Sequence, residues 1–158
     1  MFKRVSPLES LKPLLTPPIM TIKQLSIFIE NKSGTLIRVL DLLSKANIQI
    51  IASTIADTKD YGIYRVLCDQ PTQAYLLLRE NGINVQLADV FALSIDDTPG
   101  QAAEAVKMLS SEGVGILYMY SFLWKGKGVL VMRTDQSEKA KEIITIKKIG
   151  FLTEADFR

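Results

Sequence analysis

The sequence predicts an α+β protein built from two copies of one β-α-β-β-α-β unit. When the chain is shifted by 66 positions against itself, Gly34 falls on Gly100, and apolar residues then match apolar residues over about fifty positions. Within each copy, short runs alternate apolar and polar residues as half-buried strands do, and longer runs space apolar residues as one helix face does. The repeat and these two periodicities together indicate two similar units in tandem.

Each copy opens with a strand, a turn that contains glycine, and a helix. Residues 24–30 and 91–96 alternate apolar and polar side chains, which is typical of strands with one buried face. The turns "ENKSGTL" and "DDTPGQA" follow. Apolar residues then recur at i, i+3, i+4 and i+7 from Leu36 and from Ala102, and this spacing predicts a helix with one buried stripe.

A hairpin, a second helix and a fourth strand complete each copy. The predicted hairpin strands are residues 50–56, 63–68, 116–123 and 129–134. Asp69 and Asp135 precede the second helices as N-caps, and Glu138, three residues after Asp135, adds a capping-box pattern. Fourth strands are expected from Asn84 and Phe151. This order is the split βαβ, or ferredoxin-like, arrangement, with two helices on one face of an antiparallel sheet.

The two units are expected to join directly. We place the boundary at Asp89, so that residues 20–88 form the first unit and residues 89–158 the second. No Pro-, Gly- or Ser-rich linker separates them, which predicts a rigid fusion. Residues 1–19 carry four prolines and no sustained period, so we expect an extended tail there, with Met20 as a candidate start of translation.

The composition argues against several classes of function. The 19 basic and 17 acidic residues give a net charge of +2 and do not predict a nucleic-acid-binding protein. The chain has no histidine and a single cysteine, Cys68, so we predict no zinc site, no cofactor and no internal disulfide, and we expect a cytoplasmic protein. No run approaches the roughly 20 apolar residues of a membrane helix. Because no nucleophile has an identifiable base beside it, we predict no catalysis.

The glycine turns allow two interpretations. Gly34 and Gly100 can simply permit a tight strand-to-helix turn, with Ser33 or Asp97 as the helix cap. Alternatively, the free N–H groups of a helix N-terminus can bind a carboxylate, and Asn31 or Asp97 can accept from an ammonium group. An amino acid carries both groups.

The unit order, with "ENKSGTL" and "DDTPGQA" after the first strands, resembles the ACT domain, and the tandem pair resembles small bacterial ACT-only proteins. The resemblance covers residues 20–158. ACT units commonly bind amino acids as regulatory modules of metabolic enzymes, and they pair side by side with sites at the interface between units. The resemblance therefore implies a non-catalytic, allosteric amino-acid-binding protein that forms a homodimer and acts on a partner enzyme of amino-acid metabolism. Exposed sheet edges agree with a dimer.

Carried over position by position, the resemblance gives candidate ligand residues. They are Asn31, Lys32, Ser33, Gly34, Thr35 and Leu36 in the first unit, and Asp97, Thr98, Pro99, Gly100, Gln101 and Ala102 in the second. Ser33 stands where the family usually has proline, and Lys32 and Asp97 give the turns different charges, so we expect unequal sites. Tyr118 and Tyr120 share one face of an aromatic strand, either as core or interface residues or as a wall for a ligand side chain.

The first loop also resembles the opening of the small regulatory subunits of acetohydroxyacid synthase. In those subunits ACT units pair and hold a catalytic chain. The present sequence does not contain their larger carboxyl-terminal region. This second resemblance implies a structural subunit of an amino-acid-biosynthesis enzyme, without a ligand of its own.

Overall fold

A computed structural model describes residues 19–158 and confirms the predicted α+β fold of two ferredoxin-like units. The strands are β1 (Thr21–Glu30), β2 (Ile50–Asp57), β3 (Tyr61–Cys68), β4 (Val85–Ile95), β5 (Ile116–Trp124) and β6 (Lys127–Thr134). The helices are α1 (Thr35–Lys45), α2 (Pro71–Glu80), α3 (Gln101–Ser110) and α4 (Ser137–Ile146), and a 3-10 turn covers Glu154–Phe157. All but Ile19 of the predicted extended tail, residues 1–19, lies outside the described residues. No helix within the described part is long and apolar enough to cross a membrane.

The sheet is continuous because one long strand serves both units. The first part of β4 pairs with β1, from Val85 opposite Ile27 to Phe91 opposite Thr21. The second part pairs with β6, beginning with Phe91 opposite Met132. The result is a single six-stranded antiparallel sheet in the order β2-β3-β1-β4-β6-β5. The pairing partner of β4 thus changes within the strand, at Phe91, and no loop lies between the units.

Asp89, the predicted boundary between the units, lies inside β4. It pairs with Lys23 on β1, and the Lys23 Nζ to Asp89 Oδ1 distance is 2.6 Å. The apolar side chains before and after it, Leu87 and Phe91, both pack on the helix side of the sheet. The strand therefore keeps its alternation through Asp89.

The strand predicted from Phe151 is reduced to a single bridge with Leu93. The Ser94 N–H donates to the Gly150 carbonyl oxygen at 2.8 Å, and the Leu152 N–H donates to the Ala92 carbonyl oxygen at 2.8 Å. Since β1 already occupies this edge of β4 as far as Phe91, only the last few residues of β4 are open to another strand. The expectation of a full fourth strand in the second unit was wrong for this reason.

The expected N-caps at Asp69 and Asp135 were also wrong. Helices α2 and α4 begin after the glutamine that follows each aspartate, and neither receives a side-chain cap from residues 19–158. Instead, the Asp69 carboxylate accepts from the Gln49 N–H at 2.9 Å, and the Asp135 carboxylate accepts from the Gly115 N–H at 2.7 Å. Both aspartates hold the loop that enters the first hairpin strand of their unit, at positions related by the repeat.

Buried side chains fill both faces of the sheet. On the helix side, Leu25 and Ile27 belong to the core of the first unit, and Phe91 and Leu93 to the core of the second. A third cluster lies on the opposite face. Its buried members are Ile22, Leu67, Val90, Ala92, Val129, Val131 and Phe157, with the inward residues of β5 packed against them. The helices thus cover one face only, and the inward residues of β5 together with Phe157 of the 3-10 turn cover the other.

Candidate functional site

The β1–α1 turn of each unit ends in a left-handed glycine. Gly34 has φ 93° and ψ −13°, and Gly100 has φ 89° and ψ −11°, a conformation that costs about 1–2 kcal/mol for residues with a Cβ atom. Each glycine is itself the N-cap, and neither α1 nor α3 takes a side-chain cap from the described chain. Ser33 and Asp97 therefore do not cap these helices.

The amide groups at the start of α1 remain available. The first helical bond runs from the Arg38 N–H to the Gly34 carbonyl oxygen at 3.2 Å, and the amides of residues 35–37 find no acceptor among residues 19–158. The Thr35 hydroxyl lies 2.8 Å from the Glu30 carbonyl oxygen and so holds the turn closed. Unpaired N–H groups at a helix N-terminus attract anions.

A cavity of about 270 Å³ lies between this turn and the α2–β4 loop. Its polar lining residues are Glu30, Lys32, Thr35, Arg38 and Asn84. Its apolar lining residues are Phe28, Ile29, Val39 and Ile83, and Gly82 completes the wall. Ligand pockets of proteins usually begin at about 300 Å³, so this cavity suits a small molecule. All of its lining residues belong to the first unit.

Charges of both signs meet at the cavity. Lys32 Nζ forms an ion pair with the Glu30 carboxylate. Arg38 Nη2 donates to the Asn81 carbonyl oxygen at 2.6 Å, and Arg38 forms no ion pair within the described part of the chain. A carboxylate and two cations therefore face the same small volume. Such a set can bind a carboxylate and an ammonium group together.

The structure separates the candidate residues of the first loop. Lys32 and Thr35 line the cavity, and Gly34 shapes the turn. Leu36 packs against the core of the first unit, and Ser33 is exposed. Asn31 lies next to the β2–β3 hairpin, where its Nδ2 donates to the Thr58 carbonyl oxygen at 2.9 Å.

Arg38 and the α2–β4 loop were missed by the sequence reasoning. A signal for Arg38 does exist, because a cation in the first turns of a helix opposes the positive end of the helix dipole. An arginine at such a place suggests a role other than helix stability. The loop residue Asn84 carries no comparable signal, since only the folded chain brings it beside the turn.

The second unit repeats the backbone of the turn but not its charges. Glu104 stands at the position of Arg38, and Thr98 at the position of Lys32. Asp96, at the position of Glu30, accepts from Lys127 Nζ at 2.9 Å. Of the candidate residues here, Gly100 is the helix N-cap and Gln101 is half-buried. Asp97, Thr98, Pro99 and Ala102 are exposed.

Tyr118 and Tyr120 lie on the sheet face opposite the helices and line no part of the cavity. Their hydroxyls bond the side chain of Gln24 on β1, each across 2.7 Å. The Arg65 guanidinium sits 3.7 Å from the centroid of the Tyr118 ring. Burial, reinforced by Tyr118 and opposed by Arg65, raises the pKa of Tyr120 above its ordinary value. These contacts support the core interpretation of the aromatic strand.

The surroundings of Cys68 do not favour a reactive thiol. Burial raises the pKa of the Cys68 thiol from 9.0 to about 11, which keeps it protonated near neutral pH. A protonated buried thiol is a poor nucleophile. Within residues 19–158, no three His, Cys, Asp or Glu side chains group closely enough to hold a metal ion.

A family model described as an ACT domain pair matches residues 20–158. The chain belongs to the ACT-domain-pair family. This confirms the resemblance found in the sequence, and the two βαββαβ units are therefore ACT units. No curated protein matches the chain.

Among solved structures, protein BT0572 from Bacteroides thetaiotaomicron is similar over 87% of this chain and 96% of its own, with 40% identity and a TM-score of 0.83. The ligand-free regulatory subunit of aspartate kinase from Thermus thermophilus is similar over 80% of this chain and 92% of its own, with 14% identity and a TM-score of 0.55. The regulatory subunit of aspartate kinase from Thermus flavus is similar over 78% of this chain and 88% of its own, with 16% identity and a TM-score of 0.54. The two regulatory subunits show a shared fold.

Proposed function

We propose that this ACT pair is a non-catalytic regulatory protein that binds a free amino acid in the cavity at the β1–α1 turn of its first unit. The observation that carries the proposal is the meeting of an uncapped helix N-terminus with charged side chains of both signs in one small cavity. The ligand carboxylate would lie near the first amides of α1 and near Arg38. The ligand ammonium would lie near the Glu30 carboxylate.

The exposure of the charged groups sets the expected affinity. The Lys32 and Glu30 side chains are 68% and 69% exposed, so water and salt screen their attraction for a ligand. A carboxylate at a helix N-terminus contributes typically 0.3–1 kcal/mol, and a hydrogen bond to a charged group about 1.5–3 kcal/mol. We therefore expect a dissociation constant roughly between micromolar and millimolar, and weaker binding at high salt.

Thermal unfolding against each of the twenty amino acids tests the proposal. A ligand at 100 times its dissociation constant adds about 2.7 kcal/mol, which raises the midpoint by several degrees in a protein of this size. One or a few amino acids should raise the midpoint clearly. A panel without any responder at high millimolar concentration contradicts the proposal.

Two glycine variants give a matched control. A Cβ atom at Gly34 or Gly100 meets nothing within 4 Å, so a substitution acts through the positive φ alone. Gly34→Val and Gly100→Val should lower the unfolding midpoint by similar amounts. Only Gly34→Val should also lose the response to the amino acid.

We propose further that the protein is a cytoplasmic homodimer whose association, or whose contact with an enzyme of amino-acid metabolism, changes when the ligand binds. The strand β5 forms one edge of the sheet. Its Leu117, Met119 and Leu123 side chains are 60%, 45% and 64% exposed and alternate with the inward residues, so they share one face. An apolar row on an open edge strand favours covering by another chain.

The same apolar row supports a second candidate function, a structural subunit that holds a partner enzyme and has no ligand. Recovery of a stable stoichiometric complex from cell extract, together with an unresponsive amino-acid panel, would favour this second function. Recovery of the homodimer alone, together with one responding amino acid, would favour the first.

A further inference from the structure

More positive than negative side chains line the cavity. Glu30 supplies one negative charge, whereas Lys32 and Arg38 supply two positive charges. The remaining polar side chains of the lining, Thr35 and Asn84, are neutral. An amino acid with a neutral side chain brings one charge of each sign and leaves one cation of the cavity without a counter-ion.

From this charge count we infer that the ligand is an amino acid with an acidic side chain. The inference rests on the proposed function and names the class of ligand within it. The α-carboxylate and the side-chain carboxylate of such a ligand would each have a cation, Arg38 or Lys32, and its ammonium would have Glu30. All charges of the cavity and of the ligand would then be paired.

The two cations approach the cavity from different walls. Lys32 belongs to the β1–α1 turn, where it pairs with Glu30. Arg38, the fourth residue of α1, reaches the end of α2, where Nη2 donates to the Asn81 carbonyl oxygen. Arginine presents its donors as a fork, so one hydrogen bond to the loop leaves others for a carboxylate. Separate cations suit the two carboxylates of one ligand better than a single carboxylate.

The second unit provides an internal comparison. At the positions of Arg38 and Lys32 it carries Glu104 and Thr98, and the acidic residue at the position of Glu30 is Asp96. The equivalent positions of the second turn therefore hold two carboxylates and no cation. Lys127 pairs with Asp96, so the Glu104 carboxylate is the group that would repel an acidic amino acid there, and we expect one acidic ligand per chain, in the first unit.

Calorimetric titration of the full chain with matched ligand pairs tests this inference. L-Aspartate is compared with L-asparagine, and L-glutamate with L-glutamine, because each amide has the shape of its acid without the charge. The acid of at least one pair should bind tighter than its amide, by up to about fivefold, as expected for one added exposed ion pair. Lys32→Thr, which copies the second unit, should remove this preference. Lys107→Thr, which removes an exposed charge from α3, should leave the preference intact.

The outcomes separate the inference from the function on which it rests. If a neutral amino acid binds as tightly as the acids or tighter, the acidic-ligand inference is overturned and the amino-acid-binding function stands. If the preference survives in Lys32→Thr, the inference is overturned as well, because the charge is then recognised elsewhere. If none of the twenty amino acids binds, both the inference and the proposed function are overturned.

Discussion

The side chain of Gln24 on β1 donates through Nε2 to the hydroxyl of Tyr118 on β5 across 2.7 Å, although 94 residues separate them in the chain. The Tyr120 hydroxyl donates to Oε1 of the same glutamine, also at 2.7 Å. Gln24 is fully buried, so these bonds satisfy both ends of an amide that water does not reach. Since β4 and β6 lie between β1 and β5 in the sheet, the contact requires the sheet to curve strongly.

Replacing Gln24 should therefore destabilise the contact between the two units. Gln24→Met removes both hydrogen bonds and leaves the half-buried Tyr118 and Tyr120 hydroxyls without this partner, at a cost of about 1–3 kcal/mol. Urea unfolding measures this loss. In the triple variant with Tyr118→Phe and Tyr120→Phe, the two hydroxyls that lost their partner are absent as well, and much of the loss should be recovered. Wild-type stability of Gln24→Met alone would contradict this description of the contact.

Local sequence patterns predicted the elements of the fold well and their long-range partners poorly. The alternation around Leu25 and the helical spacing from Leu36 depend on neighbouring residues, so they identify β1 and α1 directly. Gln24 stands at one of the polar positions of the same alternation, so the sequence alone predicts that it faces solvent. Only the curvature that brings β5 over it makes the position buried, and a local pattern contains no information on that curvature.

The same distinction applies to the site. Two equivalent turns, at Gly34 and Gly100, followed from the repeat because both depend on local backbone geometry. The cavity depends on Arg38 and on the loop at Asn84, which come together only in the folded chain. Asp135 is a local pattern that misled: its position before α4 predicted a helix cap, but in the folded chain its carboxylate accepts from the Gly115 N–H.

Asp135 should stabilise the protein through the loop and not through helix α4. Asp135→Ala leaves the Gly115 N–H without its acceptor at 2.7 Å, and we expect a loss of about 1–2 kcal/mol. Glu138→Ala, which would matter if the two residues formed a capping box, should change stability by no more than about 0.5 kcal/mol. Chemical denaturation of the two variants distinguishes these roles, and a larger loss for Glu138→Ala would support the cap instead.

Cys68 should make the stability fall at alkaline pH. Burial raises its pKa from 9.0 to about 11 in the folded chain, so between these values the folded state keeps a proton that the unfolded state has lost. The unfolded state then binds fewer protons, and the free energy of unfolding decreases as the pH rises. Between pH 9.0 and pH 11 the free energy of unfolding of the wild type should therefore fall relative to that of Cys68→Ala. A difference in the free energy of unfolding that stays constant over this range would show that burial does not raise the pKa of the thiol.

The apolar row of β5 should control self-association. Met119→Lys places a charge in the middle of that row and should move the protein from dimer to monomer in sedimentation-velocity experiments. Leu76→Lys is a matched control, because Leu76 on α2 is 53% exposed but lies on another element of the fold. Dissociation by Leu76→Lys, with an intact dimer in Met119→Lys, would place the interface on the helices.

Residue-resolved NMR titration tests the central claim most directly. The amides of Gly34 and Gly100 have nearly the same backbone angles at equivalent places in the two units, so they are paired reporters within one chain. On addition of the amino acid that most raises the unfolding midpoint, the amide signals of Gly34, Lys32 and Gly82 should shift and saturate, while that of Gly100 stays in place. Saturable shifts at Gly100 without shifts at Gly34, or none at either glycine, would contradict an amino-acid site in the first ACT unit.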